Sequence, residues 1–113
     1  MRLQNGFKYL RKRLYENAAT PIFITRDGKD LGYFDAILAR TRFEDVDGTN
    51  KRVIMFIFDF IVRGDSGYSP QNGDRIVYDG RVFVVRPFNK EIWRYDDPYE
   101  TMIRVHSREE APV

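Results

Sequence analysis

The run of residues 53–62 constrains the fold of this chain more than any other segment. Nine of its ten residues are apolar, and Asp59 is the exception. Ten residues are too few to span a bilayer as a helix, which needs about 20 apolar residues. A strand of this composition has no polar face. The run therefore predicts a buried strand that is covered by protein on both faces.

Most of the chain after residue 20 has the apolar pattern of strands. Asp27-Gly28 and Asp79-Gly80 are typical of tight hairpin turns, and a further turn is predicted at residues 45–48. A mainly β fold follows, which is a small barrel or sandwich of about six antiparallel strands in one domain. The predicted strands cover residues 22–25, 33–43, 51–62, 75–78, 81–85 and 102–106.

One short amphipathic helix is predicted ahead of the strands. Leu3, Phe7, Leu10 and Leu14 are spaced by four, three and four residues, which places them on one helix face. The single domain 1–113 is thus divided into a helix or arm at 1–18, a β core at 20–107 and a tail at 108–113. The basic side chains of the helix either form a solvated face or contact DNA phosphates or an acidic partner. They are Arg2, Lys8, Arg11, Lys12 and Arg13.

Residues suited to catalysis or metal binding are scarce. Nucleophilic catalysis usually needs His or Cys near a second group, and the chain has one His and no Cys. His106 falls at the end of a predicted strand, where a structural role is favoured. The carboxylate pairs at 45/47 and 96/97 suit turns. We therefore expect a binding or assembling protein, without enzyme activity, cofactor or metal. The lack of Cys and of an apolar leader favours a reduced compartment.

Charge leaves a nucleic-acid-binding barrel open as an alternative. The net charge of +2 is too small to indicate such a function by itself. Basic residues do lie beside aromatic ones, as in Lys8-Tyr9 and Arg81-Val82-Phe83, and this combination suits single-stranded nucleic acid. Their alternation with core positions equally suits an ordinary solvated face.

The loop at residues 63–72 is long for a compact domain. It is rich in Gly, Ser and Asn, with little apolar area to bury. Two interpretations are open: the loop is a tail or channel contact that is mobile in the free subunit and ordered in an assembly, or it is a plain surface connection between strands. Tyr68 is its lone aromatic and has more to gain from a partner than from its own loop.

An ordered string in residues 33–107 resembles the small head–tail connector proteins of tailed bacteriophages, the head-closure or head–tail joining group. These proteins carry P-x-x-G-D-x-I, an aromatic-rich strand, a Trp/Arg/Asp stretch and a closing R-I-H. Here residues 70–76 fit the first element, and Trp93, Arg94 and Asp96 fit the third. Arg104-Val105-His106 fits the last element, with Val in place of Ile.

The resemblance implies a structural virion protein. Several copies would form a ring beneath the portal in the virion neck, with six- and twelvefold rings both open. The ring would hold the packaged DNA in and dock the tail, after assembly in the host cytoplasm. Implied partners are other copies, a portal or adaptor protein, tail proteins and DNA without sequence preference, and no membrane. A tail terminator or another virion ring protein is the alternative within this class. Candidate subunit or tail contacts are Arg63, Asp65, Tyr68, Trp93 and Tyr95.

Overall fold

The computed structural model describes residues 18–46 and 48–110, and these contain seven β-strands. The predicted N-terminal helix and its five basic residues lie outside the described residues. The strands are β1 Thr20–Arg26, β2 Lys29–Val46, β3 Arg52–Arg63, β4 Arg75–Tyr78, β5 Arg81–Val85, β6 Trp93–Tyr95 and β7 Met102–Glu109.

Six of these strands close into an antiparallel barrel. Their order is β3-β2-β1-β4-β5-β7, and β3 pairs back onto β7 to close the sheet. β6 lies outside this closed sheet and pairs with β7 alone, next to the segment of β7 that pairs with β5. The prediction of a mainly β fold with about six antiparallel strands is confirmed, and the architecture is a barrel rather than a sandwich.

Two hairpin turns lie where the sequence predicts them. Asp27 and Gly28 join β1 to β2 with φ of 50° and 77°, and Asp79 and Gly80 join β4 to β5 with φ of 49° and 73°. Positive φ at both central positions gives the turn whose twist matches that of antiparallel strands. Asp and Gly tolerate this region, which explains why these pairs start the hairpins.

The core lies inside the barrel, lined by alternate residues of its strands. The Phe60 ring lies 5.1 Å from the Phe83 ring and 6.0 Å from the Tyr78 ring, with edge-on geometry in both pairs. Register places Phe60 between Leu38 of β2 and Val105 of β7. Aromatic pairs of this kind contribute about 0.5–1.5 kcal/mol beyond their buried area. Phe60 is therefore a central packing residue.

The prediction that residues 53–62 are covered on both faces is correct only for the second half of the run. Phe60, Ile61 and Val62 are all buried, although successive strand residues point to opposite faces. Ile54 and Phe56, in contrast, are 49% and 42% exposed. The reason is topological. β7 pairs with β3 only at residues 58–63, so among the described strands residues 52–57 have β2 as their single partner.

Beyond the barrel, β2 and β3 continue as a two-stranded hairpin that we call the arm (residues 41–57). Its pairing runs without a break from Thr41↔Ile57 to Val46↔Arg52. β1 pairs with β2 only as far as Ala36. The molecule measures 56 × 34 × 23 Å, which fits a hairpin that extends past the barrel.

Some predicted boundaries are wrong. β7 continues to Glu109, so residues 108 and 109 belong to the β core and not to a tail. Pairing with β5 and two hydrogen bonds of 2.7 and 2.6 Å from Arg81 to Glu109 hold this end of the strand. β6 lies inside the segment predicted as a connection, and β2 begins at Lys29 rather than at residue 33.

Candidate assembly surfaces

Two of the predicted contact residues, Trp93 and Tyr95, form an aromatic pair on β6. Their rings are 5.2 Å apart and nearly perpendicular, at 89°. They are 36% and 45% exposed, although each could bury a large area. We call these two residues the aromatic pair. Their position on a strand outside the barrel leaves them accessible to a partner.

Arg63 and Asp65 lie at the end of β3 and in the following loop. Arg63 Nη2 donates to Asp65 Oδ2 at 2.7 Å, and both side chains are solvent-accessible. They line a surface depression of about 560 Å³ together with Tyr33 and Asp35 of β2. The structure thus brings these two predicted residues to one place, next to two residues that sequence reasoning did not select.

The expectation that Tyr68 serves a partner is wrong for the described subunit. Tyr68 is 7% exposed and packs in the core, with its ring 5.4 Å from that of Phe34. Its hydroxyl donates to Asp74 Oδ2 at 2.7 Å. The ring buries more area inside its own barrel than a surface loop would allow, so it anchors the loop instead of being presented on it.

Asp74 collects the hydrogen bonds that hold this loop. Arg26 donates from Nε at 2.8 Å and from Nη2 at 2.9 Å, and the Gln71 amide donates at 3.0 Å. Burial raises the pKa of Asp74, while the bonds from Arg26 and Tyr68 lower it, and the balance is a pKa below the ordinary value. The pKa of Tyr68 is raised, first by burial and then by its bond to Asp74.

A network of ion pairs and hydrogen bonds around the buried Asp59 and His106 fixes the segment that carries the aromatic pair. Asp59 accepts from Arg104 Nη1 at 2.9 Å, and its other oxygen lies 2.8 Å from His106 Nδ1. Arg104 Nε also donates to Asp96 Oδ1 at 2.9 Å, and His106 Nε2 lies 3.2 Å from Glu91 Oε1. We call these five residues the ion network. Glu91 and Asp96 flank β6, so the network ties both ends of that strand to β3 and β7.

Strand register explains how distant residues meet in the network. Asp59 pairs directly with His106, and Arg104 pairs with Ile61 one step further along, so all three polar side chains share the outer face of the barrel. Burial lowers the pKa of Arg104, its bonds to Asp59 and Asp96 raise it, and the net pKa is above the ordinary value. Several residues of the network belong to the motifs that resemble the head–tail connectors. Their spacing in the sequence does not indicate that they meet in the fold.

The network does not have the geometry of a hydrolytic triad. In such a triad, Asp orients one nitrogen of His, and the other nitrogen faces a hydroxyl or thiol nucleophile. Here the second nitrogen of His106 faces the Glu91 carboxylate. The adjoining cavity is about 90 Å³, far below the roughly 300 Å³ of the smallest usual ligand sites. Within residues 18–46 and 48–110, no cluster of His, Asp and Glu is suited to hold a metal ion.

In the part of the chain that the structure describes, two further groups of apolar side chains are exposed. The first, which we call the arm strip, consists of Val46, Ile54 and Phe56, which are 60%, 49% and 42% exposed. The second, which we call the outer row, runs across four barrel strands. Its members pair in direct register as Tyr33↔Phe23, Phe23↔Val77 and Val77↔Val82.

A small closed barrel with several uncovered apolar surfaces is typical of a subunit that assembles with other proteins. A family model described as phage head-tail joining protein matches residues 1–113, and the chain belongs to this family. The resemblance found in the connector string is thereby confirmed. Membership implies contact with phage head and tail components and a place in the virion neck. A search of curated proteins finds no match. In the part of the chain that the structure describes, no helix is long and apolar enough to cross a membrane.

Proposed function

We propose that several copies of this protein form a ring at the head–tail junction, close the head after DNA packaging and present the docking surface for the tail. Family membership supports the place of action. The observation that carries the ring is the set of three separate apolar surfaces that are exposed among residues 18–46 and 48–110: the arm strip, the outer row and the aromatic pair. A ring subunit needs distinct surfaces for its two neighbours and for the components above and below it.

This role needs no catalytic group, only rigid surfaces in fixed positions. The ion network supplies that rigidity for β6, because it holds Glu91 and Asp96 on either side of the strand. The aromatic pair is the proposed tail or subunit contact, together with Arg63 and Asp65. Tyr and Trp are enriched at the energetic centres of interfaces, which supports this assignment.

We also propose that any contact with DNA is made to phosphates by the basic residues near the N-terminus, without base readout. Such binding falls steeply with salt, because neutralised phosphates release counterions. Replacing Lys8, Arg11, Lys12 and Arg13 together by Gln should flatten the dependence of DNA retention on salt. Sequence-selective binding that is insensitive to salt would contradict this proposal and favour a nucleic-acid-binding barrel.

The test of the main proposal is removal of this protein from a phage that encodes it, with plasmid-borne full chain as the control. The expected result is an accumulation of DNA-filled heads and free tails of normal length, and joining restored by adding purified protein to the extract. Tails of irregular length with normally closed heads would indicate a tail terminator instead. Normal infectious particles without the protein would overturn the proposal.

A further inference from the structure

The imidazole of His106 lies between two carboxylates. Its Nδ1 is 2.8 Å from Asp59 Oδ1, and its Nε2 is 3.2 Å from Glu91 Oε1. We infer that the contact between His106 and Glu91 is a latch that depends on one proton. With the proton, the latch holds the turn at residues 88–91 against the barrel, and without it the turn is released. The latch belongs to the single subunit, and only its consequence for docking rests on the proposed function.

The number of protons that the two contacts require carries this inference. A neutral imidazole has one N–H donor and one acceptor nitrogen, and an ionised carboxylate only accepts. Between two ionised carboxylates, a neutral ring donates to one and faces the other with a lone pair. Both contacts of His106 are hydrogen bonds only when the site holds one further proton. Imidazole is more basic in water than a carboxylate, so this proton is assigned to Nε2.

The two carboxylates differ in what they keep when the proton leaves. Asp59 is 3% exposed and also accepts from Arg104 Nη1 at 2.9 Å, so it retains a second bond inside the fold. The Glu91 side chain is 42% exposed and reaches water. A ring with a single proton therefore keeps its bond to Asp59 and loses the bond to Glu91, because a buried carboxylate without a donor costs more than a hydrated one.

Arg94 of β6 gives Glu91 a second position. Its Nε lies 3.9 Å from the same carboxylate oxygen that faces His106, and both side chains are solvent-accessible. Loss of the proton from the ring shifts the carboxylate toward Arg94 and water, and return of the proton restores the contact with His106. A side chain with two such arrangements is the element that a protonation switch acts on.

The turn that carries Glu91 is a tight unit of its own. Phe88 and Glu91 exchange backbone hydrogen bonds of 2.8 and 3.0 Å, and Asn89 and Lys90 between them have positive φ of 49° and 67°. The Phe88 ring lies edge-on to the His106 ring, with 5.8 Å between the centroids. The turn thus contacts His106 at one apolar point and at one point that depends on the proton.

β6 begins directly after this turn, so the latch acts on the strand that carries the aromatic pair. The His106 amide donates to the Ile92 carbonyl at 2.9 Å, and this bond does not depend on the ring proton. Ile92 therefore stays in place while the turn before it is released. If the aromatic pair docks a tail or a neighbouring copy, docking should weaken as the pH rises, since a segment that must be ordered on binding binds less tightly.

The charged groups around His106 are arranged to accept from a ring with two protons. Asp59 approaches the ring from β3 and Glu91 from the turn. The guanidiniums of Arg104 and Arg94 contact these carboxylates. Other described groups nearby are Asp96, which pairs with Arg104, the neutral Thr41 of β2, and Arg86, whose guanidinium donates to Asn72. Each N–H of a doubly protonated ring therefore has a carboxylate acceptor.

The chain has one His and one Trp, so each gives a single signal that needs no further assignment. The test follows the ring nitrogens of His106 and the indole N–H of Trp93 by nitrogen NMR of the full chain between about pH 5 and pH 9. At the acid end both ring nitrogens should carry a proton, and at the alkaline end only Nδ1 should. The Trp93 signal should move with the same midpoint, because the carboxylate moves to Arg94 beside it.

Two variants of Glu91 should fix the latch in opposite states. The amide of Glu91→Gln can donate to a neutral ring, so the Trp93 signal should keep its acid position at every pH, and the His106 midpoint should fall by about one pH unit. Glu91→Ala should keep the Trp93 signal in its alkaline position throughout. Glu100→Gln removes an exposed carboxylate on the other side of β6 and is the matched control, with a wild-type titration of both signals.

Two midpoints that differ in the wild type would overturn the inference, and this measurement depends on no variant. A Trp93 titration that persists in Glu91→Gln would overturn it as well. Joining of filled heads to tails, measured over the same pH range, tests the consequence separately: Glu91→Gln should lose the decline of joining at high pH. Joining that ignores pH while both NMR signals titrate together would support the latch and contradict docking through the aromatic pair.

Discussion

The two halves of β3 have nearly the same composition and opposite environments. Residues 58–62 pass between β2 and β7 and are covered inside and outside the barrel. Residues 52–57 pair with β2 alone, and Ile54 and Phe56 stay about half exposed. Both halves are apolar enough to be core, so composition does not decide which half is buried. For the inward-facing side chains, the presence of a second neighbouring strand does, since Phe60 is 1% exposed, whereas Ile57, on the other face of β3, is buried although it pairs with β2 alone.

The largest expected effect separates two phenylalanines of this strand. Phe60→Ala should lower the free energy of unfolding by about 3–5 kcal/mol, because it opens a cavity in a closed core. Phe56→Ala should cost about 1 kcal/mol or less, because half of the ring is already in water. Urea denaturation of both purified variants measures the difference. Equal losses would mean that the arm is packed as tightly as the barrel and would remove the contrast.

The observed exposure of Phe56 changes the expected effect of placing a charge at this position of the 53–62 run. An Asp at position 56 would be buried and unpaired if both faces were covered, which predicts loss of folding or assembly. With Phe56 at 42% exposure, Phe56→Asp should fold and lose assembly only. Circular dichroism with a neck-incorporation assay separates the two results.

The polar residue of the same run provides the second comparison. Asp59→Ala should lower the free energy of unfolding by about 3 kcal/mol, because Arg104 loses a buried counter-charge and His106 loses a buried hydrogen-bond partner. Lys51→Ala at the end of the arm is the control and should change it by about 0.5 kcal/mol, as exposed charges do. A small loss for Asp59→Ala would show that the bonds of Arg104 and His106 to the flanking carboxylates are sufficient.

How far the sequence predicts this structure depends on the range of the interactions. The two Asp-Gly turns are local, and backbone preferences of adjacent residues are enough to place them. The ion network is not local, because Asp59 and His106 are 47 residues apart and meet only through β3–β7 register. The barrel closure that sets this register is also what buries Phe60 and leaves Phe56 uncovered.

Tyr68 is a second example of a non-local contact that the sequence does not reveal. A lone aromatic residue among Gly, Ser and Asn predicts a side chain that contacts another protein. The structure gives it a partner inside the chain, since Asp74 and Arg26 form a polar cap over the position that its hydroxyl reaches. The signal available in the sequence was the Gly73-Asp74 step, whose Asp accepts the Gln71 amide as a turn residue would.

The hydrogen bonds from Tyr68 and Arg26 to Asp74, which hold the loop at residues 63–72, should make a smaller and pH-dependent contribution to the free energy of unfolding. The arm should make no such contribution. The pKa of Asp74 is lowered, so its contribution is present above the ordinary carboxyl value near pH 4 and is lost as the pH falls through its folded pKa. The pKa of Tyr68 is raised, so its contribution is present below about pH 10 and is lost at higher pH. Tyr68→Phe should cost about 1–2 kcal/mol at neutral pH and reduce the alkaline loss.

The free energy of unfolding is measured from pH 3 to pH 11 for the wild type, Tyr68→Phe and Asp74→Asn. This range covers the acid loss of stability and the start of the alkaline loss. Asp74→Asn should be less stable at pH 7 and should show a shallower loss toward acid. Phe56→Ala is the control from the arm and should keep the wild-type pH profile. An unchanged profile in Asp74→Asn would mean that other carboxylates carry the acid limb.

The smallest effect on stability, combined with a full effect on function, is expected at the aromatic pair. Trp93→Ala with Tyr95→Ala should change the free energy of unfolding by about 1 kcal/mol or less, because both rings lie on a strand outside the barrel and retain substantial exposure. If the pair docks a tail or a neighbouring subunit, the same change removes aromatic anchors from the centre of an interface, where each is worth about 2 kcal/mol or more.

Arg94→Ala is the matched control, since it lies on the same strand between the two rings and is itself exposed. Joining of filled heads to purified tails, scored as infectious titre, should fall at least tenfold for the double variant and stay near wild type for Arg94→Ala. Normal titre in the double variant would assign tail and subunit docking to other surfaces, and a loss of stability as large as that of Phe60→Ala would place the pair in the core.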